Sequence, residues 1–377
     1  MNTTRTLAGT LIVILVAAGI ALLAPRTDRV PAPDVAEDPQ RTDSAPSTTE
    51  RPSPESSSER LVDDRGRRFD CSIEDFSLPA APDADGAGTE DEYGALIEQL
   101  TASSDLERRL AGAVLKTASD YPDAIDDLVA LIADLPDNPL LHWHLLDACA
   151  IRHSHPLCSS GQAEARVIRY LGHNGEAWAK VAYHRLRRDD VEGGIEALRN
   201  ASAAAEFGDY WRTEVQVVFR ALEGQENAEV PARLIQSIGY VVAFPARYLR
   251  LSNACAMAAA DSPAWFDACI AYARRKESDA DSLVGRSIGA GLQGAIYAAI
   301  GDDEKTKAAE ERGRGSVAVL SDPAMRDGEV LLAADDSVGL EWLQRLSVYG
   351  RIAANEYLRA EVERLSASPD YDPCPPM

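Results

Sequence analysis

The chain has 377 residues, of which 45% are hydrophobic and 26% are charged, so it can bury a sizeable core. Its 38 Lys and Arg residues are outnumbered by 61 Asp and Glu residues, which gives a formal net charge of -23. Because so acidic a surface repels nucleic acid, we expect no nucleic-acid partner.

The N-terminal segment predicts a membrane anchor. Residues 6–25 carry no charge, and about 20 helical residues at ~1.5 Å rise span the ~30 Å hydrocarbon core of a bilayer. We expect residues 1–25 to cross the inner (cytoplasmic) membrane once, with the C-terminal domain in the periplasm or outside. The alternative is a cleaved signal peptide. Pro25, which directly follows the small-residue site at Ala24, argues against cleavage there.

Residues 26–65 predict a disordered tether. They are rich in Pro, Ser and Thr and contain almost no large apolar residue. Such a segment cannot bury enough apolar surface to offset its ordering entropy. The remaining residues, 66–377, are therefore expected to form the exported domain.

The exported domain predicts an all-α fold. Ile125, Leu128, Val129 and Ile132 recur at the spacing of one helix face, and breaks such as Asn138-Pro139 have the sequence of helix starts. The predicted helices are 92–101, 105–119, 122–134, 138–151, 161–171, 175–188, 190–205, 209–223, 230–243, 246–260, 262–276, 280–299, 302–314, 321–334, 336–348 and 351–366.

One pair of predicted helices has the spacing of a repeat. The matching positions are Trp178, Val181, Ala182, Gly194, Leu198 and Ala201. The region around them, about residues 120–206, resembles a degenerate tetratricopeptide-type helical repeat, and it departs from that pattern at Arg185 and Glu206. The resemblance implies a helical-hairpin array, an α-solenoid, whose concave surface binds a protein or peptide. The alternative is a compact, irregular helical fold.

Six cysteines agree with export to an oxidising compartment. Proximity along the chain favours Cys149 with Cys158 and Cys255 with Cys269, which leaves Cys71 to pair with Cys374. Six cysteines allow fifteen pairings, and buried free thiols are the alternative.

All six histidines lie between residues 142 and 184, and they carry the alternative prediction of a metal site. His153 and His155 are close together in one loop, and His142 is a candidate third ligand. This cluster would make the protein an envelope metal-binding protein or a metalloenzyme. The simpler interpretation is scattered surface and helix-cap histidines.

No motif of a known catalytic type accompanies these features. Residues 289–294 match G-x-G-x-x-G, but their surroundings predict helix on both sides, so we expect close helix packing there and no bound nucleotide. Asp189-Asp190 and Asp302-Asp303 stand where helix N-caps are expected. The sequence therefore favours a membrane-tethered scaffold with no cofactor and no catalytic activity, which binds a protein or peptide partner.

Overall fold

The computed structural model describes most of residues 66–377. Its described residues are 69, 71, 76, 90–119, 121–152, 154–224, 229–242, 246–260, 262–319, 322–368 and 370–375. The predicted anchor and tether lie outside these residues. Within them, no helix is long and apolar enough to span a bilayer.

The described residues form an all-helical array. The first eight helices are α1 (Glu90–Thr101), α2 (Leu106–Ala118), α3 (Ala124–Asp134), α4 (Pro139–Ile151), α5 (Pro156–Ser159), α6 (Gln162–Leu171), α7 (Gly175–Leu186) and α8 (Val191–Ala203). The others are α9 (Trp211–Ala221), α10 (Val230–Val242), α11 (Ala246–Ala259), α12 (Pro263–Asp279), α13 (Leu283–Ala299), α14 (Asp303–Ala318), α15 (Pro323–Ala334) and α16 (Asp336–Ser366). This confirms the predicted all-α class for the part of the chain that the structure describes.

The helix starts follow from the predicted caps. The Asp190 and Asp302 carboxylates accept hydrogen bonds from backbone N–H groups in the first turns of α8 and α14, and the Asn138 side chain does the same for α4. Helix α16 is interrupted at Gly350, whose φ of 85° and ψ of 177° lie in a region that only glycine occupies readily. The structure thus keeps the predicted break between 348 and 351.

Glycines allow neighbouring helices to approach closely. A Cβ at Gly194 in α8 would lie 2.9 Å from Cδ2 of Leu186 in α7, as the repeat-like spacing predicts. A Cβ at Gly289 in α13 would lie 2.4 Å from the backbone nitrogen of Glu277 in α12. Residues 289–294 are therefore helical and serve helix packing, in agreement with the sequence prediction.

The array also folds back on itself. Helix α9 packs against α2, α8 packs against α12, and α16 packs against α9 and α10. In an open solenoid each unit contacts only its neighbours, so these contacts between helices distant in sequence are an addition to the expected pattern. They bring the α8–α9 loop, the α12–α13 loop and the bend in α16 together.

Disulfides join the cysteines in the three pairs that proximity favours. Cys149 is bonded to Cys158 and Cys255 to Cys269, across sequence separations of 9 and 14 residues. The third bond, Cys71–Cys374, spans 303 residues. It ties the start of the described domain to its C-terminal end.

Candidate functional site

The histidines predicted as metal ligands have separate partners. His142 is buried, its Nε2 donates to the Pro136 carbonyl at 2.8 Å, and its ring stacks on Tyr170. His155 caps α5, where its Nδ1 accepts a hydrogen bond from a backbone N–H. His153 lies outside the described residues. Among the residues that are described, no group of three or more His, Cys, Asp or Glu side chains is placed to hold a metal ion.

The interpretation of surface and cap histidines is wrong for three of the six. His142, His144 and His184 are buried, because the helices that carry them pack on both sides. His144 Nε2 lies 3.1 Å from a Glu214 carboxylate oxygen, and His184 Nδ1 lies 3.5 Å from Glu164. These histidines belong to the core.

A different set of side chains converges where the three distant segments meet. It begins with the α8–α9 loop, which Asn174 holds in place. The Asn174 side chain donates to the Gly208 carbonyl at 2.7 Å and accepts from the Glu176 N–H at 3.0 Å. Asp209 directly follows Gly208, and its carboxylate accepts a hydrogen bond from the Trp211 N–H at 3.3 Å. The loop therefore fixes Asp209 at the start of α9.

The α12–α13 loop and α16 bring further charges to Asp209. A Cβ on Gly208 would lie 3.5 Å from Oδ2 of Asp281, and the charge of Asp281 acts on the neighbouring Asp209. A Cβ on Gly350 would lie 3.8 Å from Asp281 and 4.0 Å from an Arg212 nitrogen. The bend at Gly350 leads directly into Arg351. We call Asp209, Arg212, Asp281 and Arg351 the charged quartet.

An aromatic ring orients one member of the charged quartet. The guanidinium carbon of Arg351 lies 4.3 Å from the centre of the Trp211 ring. This distance is within the range of a cation–π contact. This contact places the Arg351 guanidinium beside the Trp211 ring and uses none of its N–H donors in an ion pair.

A second ionic group lies beneath the charged quartet. Lys276 Nζ donates to Glu176 at 2.5 Å, and the Tyr272 hydroxyl donates to the same carboxylate at 3.2 Å. The Glu176 and Lys276 side chains are each only 3% exposed. We call these three residues the closed triad, because burial and mutual hydrogen bonding satisfy their charges.

The pKa values of the two aspartates in the charged quartet are raised. Burial and the neighbouring Asp281 raise the pKa of Asp209 to about 7. Burial also raises the pKa of Asp281, against the opposing effect of Arg212. Burial lowers the pKa of Arg351, while the two aspartates act to raise it. An arginine starts high enough to stay charged at neutral pH.

Solvent still reaches the charged quartet. Its four residues are half-buried. No ion pair between described residues includes any of the four within 4.0 Å. Two carboxylates and two guanidinium groups therefore meet at a half-buried place without direct ion pairs.

Sequence reasoning missed the charged quartet. Its members come from separate segments, and single aspartates carry no signal in a chain with 61 acidic residues. One pattern could have pointed to three of them, because Asp209, Asp281 and Arg351 each stand at a break between helices. Charged residues at such breaks are free to face a cleft instead of a helix flank.

Comparisons with models of known protein families, with curated proteins and with solved structures give no significant match for this chain. The functional argument therefore rests on the geometry of the site.

Proposed function

We propose that this protein is a non-catalytic binding scaffold whose helical array presents the charged quartet to a peptide or to a segment of a partner protein. The observation that carries this proposal is the set of accessible, unpaired charges. Burying a charge without a partner is costly. The protein pairs Glu176 with Lys276 in its core, whereas the half-buried Arg351 has Asp209 and Asp281 near it but forms no direct ion pair, so its guanidinium donors remain available.

Exposed apolar side chains next to the bend in α16 support a peptide partner. Val348 is 59% exposed and Tyr349 is 70% exposed, and both directly precede Gly350. Aromatic residues at the edge of a charged cleft are typical of protein–protein contact sites. They would contact apolar side chains of a peptide whose charged groups reach the charged quartet.

The proposal includes the finer fold assignment and the cellular address. The close α7–α8 pair, with Gly194 at its contact, supports a tetratricopeptide-type array. The uncharged stretch at 6–25 supports a single-pass anchor, and residues 26–65 supply the tether. Three disulfides support a periplasmic or extracellular domain, because such bonds persist in oxidising compartments.

A random-peptide display against the full-length chain tests the binding function. Peptides enriched on the wild-type protein are measured again on Arg351→Gln and on the control Arg314→Gln, whose side chain is 63% exposed. We expect the Arg351 variant to weaken binding by about tenfold or more, and the control to leave it unchanged. The proposal fails if no peptide is enriched, or if both variants bind the selected peptides as the wild type does.

A further inference from the structure

Several buried charges of the protein form close ion pairs. Lys116 contacts Asp123 and Asp127 at 2.7 and 2.5 Å, and the Lys276–Glu176 pair belongs to the closed triad. Within the described residues, the members of the charged quartet form no ion pair within 4.0 Å, as is also true of the half-buried Arg108, Arg233 and Arg286. The charged quartet differs from those single arginines because it gathers carboxylates and guanidinium groups in one place. Groups of this kind bind water until a ligand replaces that water.

The two arginines suit a carboxylate. A guanidinium presents a planar fork of N–H donors that matches the two oxygens of a carboxylate. The Arg351 guanidinium carbon lies 4.3 Å from the centre of the Trp211 ring, a cation–π contact that leaves its N–H donors for a ligand. Arg212 approaches the same place, since a Cβ on Gly350 would lie 4.0 Å from its guanidinium nitrogen.

The two aspartates suit an ammonium group. An ionised carboxylate only accepts hydrogen bonds, and an ammonium group offers three donors. Asp209 accepts from the Trp211 N–H at 3.3 Å, which leaves acceptor capacity on its carboxylate. Because the repulsion between Asp209 and Asp281 disfavours a second negative charge, a cation bound between them would stabilise the ionised form of both.

Charge balance selects between possible ligands. Two carboxylates and two guanidinium groups sum to zero when all are ionised. A simple anion would satisfy only the arginines, and a simple cation would satisfy only the aspartates. A molecule that carries one charge of each sign satisfies both, and it binds at the charged quartet without adding a net charge there.

We infer that the charged quartet binds a small zwitterion, a free amino acid or a short peptide, with its ammonium group on Asp209 and Asp281 and its carboxylate on Arg212 and Arg351. This inference rests on the proposed binding function and names the ligand class for that site. The partner's free chain ends, and not its internal side chains, would then be the groups recognised.

Isothermal titration calorimetry on the full-length chain tests the inference, with glycine, diglycine and triglycine as probes. Acetate and methylammonium serve as probes with one charge each, and N-acetyl-triglycine amide lacks both. We expect at least one of the three zwitterions to bind about tenfold more tightly than either single-charge probe. The capped peptide should not bind.

Variants assign each charge of the ligand to its partners. Arg351→Gln should weaken acetate and the best zwitterion together, whereas Asp281→Asn should weaken methylammonium and that zwitterion. Arg314→Gln, on an exposed side chain, should change neither. Unfolding curves for each variant show whether it is folded. The binding results for Asp281→Asn and Arg351→Gln are interpreted only if those variants are folded.

Three outcomes separate this inference from the proposed function. If peptides from the display bind equally well after both ends are capped, the scaffold stands and the zwitterion inference is overturned. If the zwitterions bind no more tightly than acetate, the inference is also overturned. If neither displayed peptides nor zwitterions bind, the scaffold proposal fails as well, and the charged quartet is a structural feature of the fold.

Discussion

The closed triad and the charged quartet lie next to each other, and they use charge in opposite ways. In the closed triad, Lys276 and Tyr272 both donate to Glu176, and the three side chains are almost fully buried. In the charged quartet, solvent reaches half-buried side chains that form no ion pair with each other or with other described residues. The contrast shows how one region of a fold can exclude water from its charges while its neighbour keeps charges available.

The largest expected effect is on the closed triad. Lys276→Met leaves the Glu176 carboxylate buried without its cation, and removing one partner of a buried ion pair costs roughly 3–5 kcal/mol. Urea unfolding of the full-length chain, followed by circular dichroism, measures this loss. The double variant Glu176→Gln with Lys276→Met removes both charges and should lose less stability than the single variant. If Lys276→Met were as stable as the wild type, the Glu176–Lys276 pair would not be closed to water.

The next effect concerns the bend that carries Arg351. Gly350→Ala should destabilise the protein by roughly 1–3 kcal/mol, because the backbone at this position lies in a region that is nearly restricted to glycine. Space is not the cause, since the nearest atoms to the new Cβ lie 3.8 Å away.

The matched control for the bend is Gly315→Ala within α14, where a Cβ would meet nothing within 4 Å. It should stabilise the protein by up to about 1 kcal/mol, because alanine favours helix. Equal effects of the two variants, measured by urea unfolding, would contradict the proposed role of Gly350.

The third effect depends on pH and concerns Asp209. In the folded protein Asp209 holds its proton up to about pH 7, whereas the unfolded chain releases it near pH 3.8. The unfolded state therefore binds fewer protons between these values, and this group lowers the free energy of unfolding as pH rises through that window. Stability from Asp209 is highest below the window and lowest above it.

Asp209→Asn removes this dependence. Above the window, at about pH 8, the variant should be more stable than the wild type by about 1–2 kcal/mol after allowance for solvent screening, and the difference should vanish near pH 4. The groups that face Asp209 are Asp281, Lys276, Glu176, Glu214 and Arg351. Unfolding curves at several pH values measure the difference, and a constant offset between the two proteins would refute the assignment.

The smallest expected effect sharpens the comparison most. Arg351→Gln should cost only about 0.5–1 kcal/mol of stability, the magnitude of an exposed cation–π contact with Trp211. Tryptophan fluorescence during urea unfolding measures it. A loss as large as that of Lys276→Met would place the charged quartet among the structural ion clusters and would contradict its role in binding.

The helices could be predicted from local chemistry. Asn138, Asp190 and Asp302 mark helix starts because each side chain satisfies a backbone N–H, and this contact needs no distant residue. The break between 348 and 351 follows likewise from Gly350. The cysteine pairing was accessible because two pairs are close in sequence and only one pairing remains for the other two cysteines.

The charged quartet could not be predicted because it depends on how the array folds back. Nothing local to Asp281 shows that α12 packs against α8, or that the bend in α16 reaches the same loop. The contacts of the histidines depend on helix packing for the same reason. Closeness in sequence suggested a shared site, while helix packing gave His142 and His155 different partners.

The Cys71–Cys374 bond has a mechanical consequence. Residues before Cys71 connect to the described domain at a point that is covalently joined to its C-terminal end. A pulling force applied through the preceding chain is therefore shared by both ends of the array, and it cannot peel the helices off one by one from α1. Until a reductant breaks the Cys71–Cys374 bond, the extension under such a force is limited to the length of the chain before Cys71.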